Sequence, residues 1–442
     1  MQKCNNRYAR LLMTAAICCS MMWSATAQNV LTLNDAIQQA LSKNFDLQIA
    51  RNDEDVATLL NNWSNAGRLP TVSAAAGYNF SNNNLDQRLS NGTNIKRNGA
   101  SFQSENASVV AQWRVFNGFR VVAAKSRLDE QQKIANLNVR QQANVLVYNV
   151  ISSYINLLRF QAQQKANQET LLLFEERMKL AENRFNIGVA GKSDYLQAAA
   201  DYNAAKTNIM TIENNIEQEK VRLNNILSRN PSEAFTTSDA SMTDVSFDDR
   251  DKILAAIDTL NPSMLMARSQ LAVLYQQQRE INANRLPTVT LNAGAGLNNS
   301  VNSAGFTLRN TTYGPNAGIQ LAIPIFQGGV VKQNLKVNAV QQKSQQVQIE
   351  SLRNDLMTAL AAAYNNYKNA KKLYDLELQT LEVIKENNVI AMERFRKASI
   401  TSVELRQTQI NLIESQTRMI NARYQMKQAE ADVMLVMGKL VE

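Results

Sequence analysis

Histidine is absent from the 442 residues, and the three cysteines sit at Cys4, Cys18 and Cys19. The rest of the chain has neither imidazole nor thiol, which excludes disulfides, Cys/His zinc sites and any histidine-dependent triad. No glycine-rich phosphate loop and no nucleophile elbow appear. Carboxylate or Ser/Lys chemistry remains formally open, but no polar cluster marks such a site. The chain therefore reads as a non-enzyme with no cofactor and no metal. Proline is also scarce, at six residues, so little interrupts a helix.

The N-terminus is read separately. Lys3, Arg7 and Arg10 precede a short apolar run, Leu11–Trp23, and Ala25-Thr26-Ala27 offers a small-x-small cleavage site. Residues 1–27 read as a secretory signal peptide whose removal leaves Gln28 first. An uncleaved anchor helix is the alternative. The formal charge of +9 becomes +6 once those three cations are subtracted. The remaining charges are interspersed, which describes a solvated surface and not a nucleic-acid face.

The pentapeptide RLPTV occurs at Arg68–Val72 and again at Arg285–Val289, an offset of 217. At that offset Asn44 meets Asn261 and Gly77 meets Gly294; farther on the offset is 210, where Phe116 meets Phe326 and Tyr154 meets Tyr364. One length change and otherwise ungapped agreement describe a duplication. Repeat one is placed at 28–229 and repeat two at 251–442, with a polar linker at 230–250. Each repeat opens with helices, from Leu33 to Ala66 and from Lys252 to Asn284. The proline of RLPTV is expected to end each of these.

After each RLPTV the period becomes two. Val72, Ala74, Ala76, Tyr78 and Phe80 share one face, as do Val289, Leu291, Ala293, Ala295 and Leu297. Returning strands carry Ala107, Val109, Ala111, Trp113 and Val115, then Ala317, Ile319, Leu321, Ile323 and Ile325, so hairpins are placed at 71–116 and 288–326. Loops are expected at Ser81–Ser101 and Asn299–Thr311. A soluble antiparallel sheet covering a core is one reading. A membrane barrel with lipid outside and water inside is the other. The neutral, small residues of the polar faces favour the barrel. Four strands cannot close one, because open edges are not tolerated in lipid and about eight strands are the minimum. Two copies would supply 8 strands and three would supply 12.

Long helical hairpins follow, at 119–229 and 330–438. Phe119–Ile187 contains neither proline nor glycine, roughly 70 residues or about 100 Å of helix. The returning helices carry seams stepped by three and four, such as Ile209, Ile212, Ile216, Glu219 and Leu223 in repeat one. Narrow seams suit a hollow cylinder of coiled coils, whereas a solid bundle would want a wider apolar face. The fold class is therefore mainly α with membrane β.

The order of these elements, the turn FNIGVAGKSDYLQAA at Phe185–Ala199 and the strand exit IPIFQGG at Ile323–Gly329 resemble the TolC-like outer-membrane efflux channel family over essentially the whole mature chain. The resemblance implies a homotrimer with a shared 12-stranded barrel among outer-membrane lipid, and a helical α-barrel tunnel across the periplasm of a Gram-negative bacterium. It also implies passive export of small molecules or proteins, energised by an inner-membrane pump through a periplasmic adaptor (membrane fusion protein). The hairpin turns would form the entrance and the docking surface. Phe185, Asp194, Phe395, Arg394, Arg396 and Glu404 would stand at the gate. Ile187, Gly188, Val189 and Ala190, with Ala398, Ser399, Ile400 and Thr401, would meet the adaptor. The second turn departs from the family pattern, with Ala398 at the glycine position and Glu404 at the aspartate. Plain turn chemistry is the competing account of these residues. The competing class is a periplasmic coiled-coil adaptor, though an adaptor carries one such hairpin and not two.

Overall fold

The computed structural model describes residues 30–238, 247 and 257–441. The signal peptide expected at 1–27 lies outside the described residues, as do 239–246 and 248–250 of the expected linker and 251–256 of repeat two. The elements run β1 (Val30–Leu31), α1 (Leu33–Lys43), α2 (Phe45–Leu60), β2 (Thr71–Arg88), β3 (Asn94–Asn117), α3 (Arg120–Asn186), α4 (Lys192–Ile226), β4 (Thr236–Thr237), α5 (Pro262–Ala283), β5 (Thr288–Asn302), β6 (Arg309–Ala322), α6 (Val330–Arg396) and α7 (Ser402–Met437). They divide into two compact units. One comprises Met1–Ile49, Arg140–Asn261 and Asp355–Glu442; the other comprises Ala50–Val139 and Pro262–Asn354.

In the unit built on Ala50–Val139 and Pro262–Asn354, an antiparallel sheet has the order β2-β3-β5-β6. Its register aligns like with like. Val72, Ala111, Ala293 and Ala317 form one row; Ala74, Val109, Ala295 and Pro315 form the next; Ala76, Ala107, Leu297 and Tyr313 a third. Trp113, Leu291 and Ile319 extend this apolar face below, followed by Phe116, Val289 and Leu321. Along β5 the five rows span Val289–Leu297, about 27 Å of strand. At a tilt of ~40° that is about 21 Å of height, close to the ~25 Å of a barrel's lipid band. Above it, Tyr78 pairs with Glu105 and Glu105 with Asn299, and the face turns polar. The opposite face carries neutral residues from the row of Thr71, Gln112, Asn292 and Gly318 to that of Asn79, Ser104, Ser300 and Asn310.

Several expected boundaries move. β2 and β3 run to Arg88 and from Asn94, through most of the loop expected at Ser81–Ser101, because cross-strand pairing outweighs the turn preference of Asn and Ser. Val115 drops out of alternation at an irregularity between Arg114 and Phe116, and Phe116 takes its place opposite Val289. β6 ends at Ala322 instead of continuing to Phe326, since β5 begins at Thr288 and offers no partner beyond it. The first helical segment ends at Leu60, ten residues before Pro70. Asn62 ends it, with its Oδ1 accepting from the Asn65 N–H at 2.8 Å and its Nδ2 donating to the Leu59 carbonyl at 2.7 Å. The expectation that proline stops the helix is corrected accordingly.

The other unit begins with a capping box. Thr32 Oγ1 accepts from the Asp35 N–H at 3.2 Å, and Asp35 Oδ2 accepts from the Thr32 N–H at 3.4 Å. Asn44 Nδ2 donates to the Ile226 carbonyl at 3.0 Å, and Asn261 Nδ2 donates to the Val436 carbonyl at 2.9 Å. These two bonds are related by the same offsets of 217 and 210 that relate the sequence copies. Six seam residues of α4 are buried, from Ala198 through Leu223. Glu219 is tolerated there because its carboxylate accepts from Ser153 Oγ at 2.6 Å. On α7, Met426, Ala429, Val433 and Met437 pack with Ile257, Leu360, Ala363 and Tyr367.

The alternating sheet gives a test. With the apolar face in lipid, cysteine at Ile319 resists a water-soluble maleimide while cysteine at Gln320 reacts. Val109→Arg, in the middle of the apolar band, costs about 2–4 kcal/mol of stability. Equal labelling at 319 and 320 contradicts the assignment of faces.

Candidate functional site at the hairpin turns

The turn between α3 and α4 is a Schellman motif. Gly188 N–H donates to the Phe185 carbonyl at 3.0 Å and Val189 N–H to the Arg184 carbonyl at 3.0 Å, with Gly188 at φ 78°. The turn between α6 and α7 repeats it 210 residues later. Ala398 N–H donates to the Phe395 carbonyl at 2.9 Å and Ser399 N–H to the Arg394 carbonyl at 2.8 Å. Ala398 stands at φ 57°, a left-handed conformation that costs an L-residue about 1–2 kcal/mol. The next helix starts differently in the two turns. Thr401 Oγ1 caps α7 by accepting from the Glu404 N–H at 3.2 Å, whereas Gly191 caps α4 without a side chain.

Asp194 is half-buried in the first turn of α4, and Glu404 is exposed in the first turn of α7. Both lie where a carboxylate favours a helix N-terminus. Neither makes an ion pair with the described residues. Ile187 and Val189 are exposed by 73% and 69%, so the first turn presents apolar side chains to its surroundings. Phe185 is at the edge of exposure, and Arg394, Ala398, Ser399 and Thr401 are exposed.

Phe395 is corrected. It is 1% exposed, packed with Ala391, Met392 and Leu405 and flanked by Leu180 and Ile400, so it cannot line an opening. The Arg184 guanidinium lies 4.1 Å from its ring centre and donates to its carbonyl. Arg396 is engaged by Glu176 and Glu393. Arg184 and Arg396 are therefore committed within the chain and not held in reserve for Asp194 or Glu404. Ile400 is partly buried against the Phe395 cluster, which reduces its share of any docking surface.

Sequence reasoning missed a polar centre that ties the two hairpins together. Arg177 on α3 is 1% exposed, pairs with Asp201 on α4 and donates to Gln409 Oε1 on α7 at 3.0 Å. Arg406 on α7 grips the same Asp201, Nε to Oδ2 at 2.8 Å and Nη2 to Oδ1 at 3.3 Å. Burial pulls Arg177 below the ordinary arginine range, only partly opposed by Asp201. Burial pushes the Asp201 carboxyl up, but hydrogen bonds from Arg406 and Arg177 outweigh it and hold it below the usual carboxylate range. A signal existed. At the offset of 210, Arg177 and Asp201 meet Asn387 and Asn411, so the charges belong to one copy only.

A one-sided apolar sheet and two long helical hairpins in one chain define the subunit of a channel. The chain belongs to the outer membrane efflux protein family, whose model matches residues 36–229 and 256–439. The outer membrane protein TolC of Escherichia coli strain K12 is 23% identical over 420 residues, covering 93% of this chain and 83% of TolC. The toxin and drug export protein A of Aggregatibacter actinomycetemcomitans is 21% identical, covering 88% and 84%. The solved structure of CusC, described with transmembrane channel formation, superposes with a TM-score of 0.75 at 17% identity, covering 92% of this chain and 91% of that one. The protein is an outer-membrane export channel, and its relatives are channels and not enzymes.

The Asp201 centre predicts a pH-dependent contribution to stability. Because the folded carboxyl is depressed, its contribution is present above the ordinary aspartate range near ~3.9 and is lost as pH falls through the lower folded value. Asp201→Asn leaves Arg177 buried without its counter-charge and costs about 3–5 kcal/mol at pH 7. Thermal melts followed by circular dichroism show the loss, and the gap between wild type and variant narrows as pH falls through the depressed folded range of Asp201. A variant as stable as wild type at pH 7 contradicts the role.

Proposed function

We propose that three copies of this chain close a 12-stranded barrel in the outer membrane and continue as a helical tunnel through the periplasm, exporting small molecules or proteins passively. Each copy would contribute its two repeats, 28–229 and 251–442, joined by the 230–250 linker. The observation that carries this reading is the sheet: apolar on one face, polar and, Arg114 apart, neutral on the other, with β2 and β6 both left as edges. A lipid-embedded edge has no water to satisfy its N–H and C=O groups, so other copies must. Helices of 67 residues, about 100 Å each, are long enough to cross a periplasm. Export of toxins or drugs is what the name of the Aggregatibacter relative states, and it suggests the cargo range here.

In this reading the two hairpin turns are the entrance, and a periplasmic adaptor coupled to an inner-membrane pump docks there. The exposed Ile187 and Val189 of one turn and Val403 beside the other supply apolar contact for it. Three copies would bring six carboxylates, from Asp194 and Glu404, to one constriction. Like charges so placed create a field that draws cations and repels anions. Arg184 and Arg396 are engaged inside each chain, whereas Lys192, Arg394 and Lys397 are exposed at the same turns and would offset part of that field.

Asp194→Ala combined with Glu404→Ala tests the entrance. Planar-bilayer recordings should show altered conductance or reduced cation selectivity, with the same oligomer recovered in detergent. Wild-type selectivity together with intact efflux in cells would leave the carboxylates as solvated turn residues.

A further inference from the structure

One stretch of the chain is free of acid. Ile281–Ile349 contains no Asp or Glu, yet it carries Arg285, Arg309, Lys332, Lys336 and Lys343. It runs from the last turn of α5 through both strands of the second hairpin and into α6. Arg285, Lys332 and Lys336 line a cavity of about 830 Å³ where α6 leaves the sheet, together with Ile325, Phe326 and Leu335. Among the described residues no Asp or Glu lines it. All three cations are exposed, and none makes an ion pair with the described residues. Glu280, the acid nearest to Arg285 in sequence, is held by Arg127 at 2.6 Å. Lys332 also stands in the first turn of α6, where the helix dipole disfavours a cation.

The duplication shows that this arrangement belongs to one copy. At the offset of 210, Lys332 and Lys336 meet Val122 and Ser126, and Gly329 meets Phe119. Phe119 sits edge-on to Phe116 with ring centres 5.4 Å apart, whereas a Cβ built at Gly329 meets nothing within 4 Å. Arg68, the counterpart of Arg285, lies against Trp63 at 4.8 Å from the ring centre. Repeat two therefore holds open space where repeat one holds an aromatic ring, and two lysines where repeat one is neutral.

We infer that this cavity binds the phosphate head of an anionic phospholipid in the leaflet nearer the helices, with the acyl chains lying along Ile325, Phe326 and the apolar sheet face. The inference rests on the reading above that this face meets lipid. Ile325 and Phe326 are 96% and 85% exposed, and Ile325 continues the alternation of Ile319 and Leu321 at the helix-side end of the apolar band. An acyl chain following that face brings its headgroup to the level of the three cations. Lys and Arg clustered beside a membrane face attract anionic lipid, and no acid of the chain competes for them here. A second copy of the chain is the other candidate to cover Ile325 and Phe326. The β2 edge it would bring offers no counter-charge, since residues 56–85 contain no Asp or Glu and add Arg68. Protein contact there leaves the positive charge unmet, and a phosphate meets it.

Native mass spectrometry of the oligomer in a phosphate-free detergent tests this, with dioleoyl phosphatidylglycerol titrated in parallel with dioleoyl phosphatidylcholine. The wild type should retain phosphatidylglycerol preferentially. Arg285→Gln combined with Lys332→Gln and Lys336→Gln should weaken that retention by about tenfold or more, leave phosphatidylcholine unchanged and give the same oligomer. Lys343→Gln, about two turns farther along α6, should bind as wild type does. Equal retention of the two lipids, or a triple variant that holds phosphatidylglycerol like wild type, overturns the site. Displacement of the lipid by an equal concentration of glycerol phosphate overturns the lipid assignment and makes the cavity a free-phosphate site. A chain that stays soluble without detergent defeats the membrane reading itself, whereas an embedded oligomer without lipid preference defeats only this inference.

Discussion

Backbone groups in lipid must be paired, and most of what is distinctive here follows from that requirement. Four strands of alternating residues bury no core of their own; the sheet is exposed on its apolar face, with Ile319 and Tyr313 at 76% and 83%. In water such a sheet would aggregate, and in a bilayer its two edges would each forfeit a row of hydrogen bonds. Both problems vanish when β2 meets β6 of another copy. The opposite face is polar and, Arg114 apart, neutral across these rows, which suits contact with water in the proposed barrel.

Duplication supplies the geometry for such closure, and its small asymmetries show where the copies have separate tasks. Among the described residues three non-glycine residues hold positive φ, Phe119, Ser228 and Ala398, and their counterparts at the offset of 210 are Gly329, Gly438 and Gly188. The backbone shape is therefore kept in both repeats even where one copy has given up the residue that adopts it without strain. The turns depart further. One is capped by a Thr401 side chain and the other is not, and the Arg177–Asp201–Arg406 centre has no counterpart in the other half. Charge added on one side of a repeat binds the two hairpins of a chain to each other near the proposed entrance.

Much of this was legible in the sequence because periodicity reports directly on a one-sided environment. Alternation after RLPTV located all four strands and their faces, and the absence of proline and glycine from Phe119–Ile187 located α3 to within a residue at each end. What failed was whatever depends on a partner in space. The Asn- and Ser-rich stretch around Asn82 reads as loop until cross-strand pairing is known, and Ile323–Phe326 reads as strand although a single chain gives it nothing to pair with. Phe395 looked like an entrance residue by its place in a turn, yet its neighbours bury it. Arg177 and Asp201 looked like ordinary surface charges, because burial of a guanidinium by three helices leaves no local mark.

The central claim is that β2 and β6 are interior strands of a closed barrel. Amide hydrogen exchange in the detergent-solubilised native oligomer measures this directly, since only paired edges are slow. The account predicts that β2 and β6 amides are protected as strongly as those of β3 and β5 across the apolar band. Fast exchange along β2 and β6 beside slow exchange in β3 and β5 would contradict it.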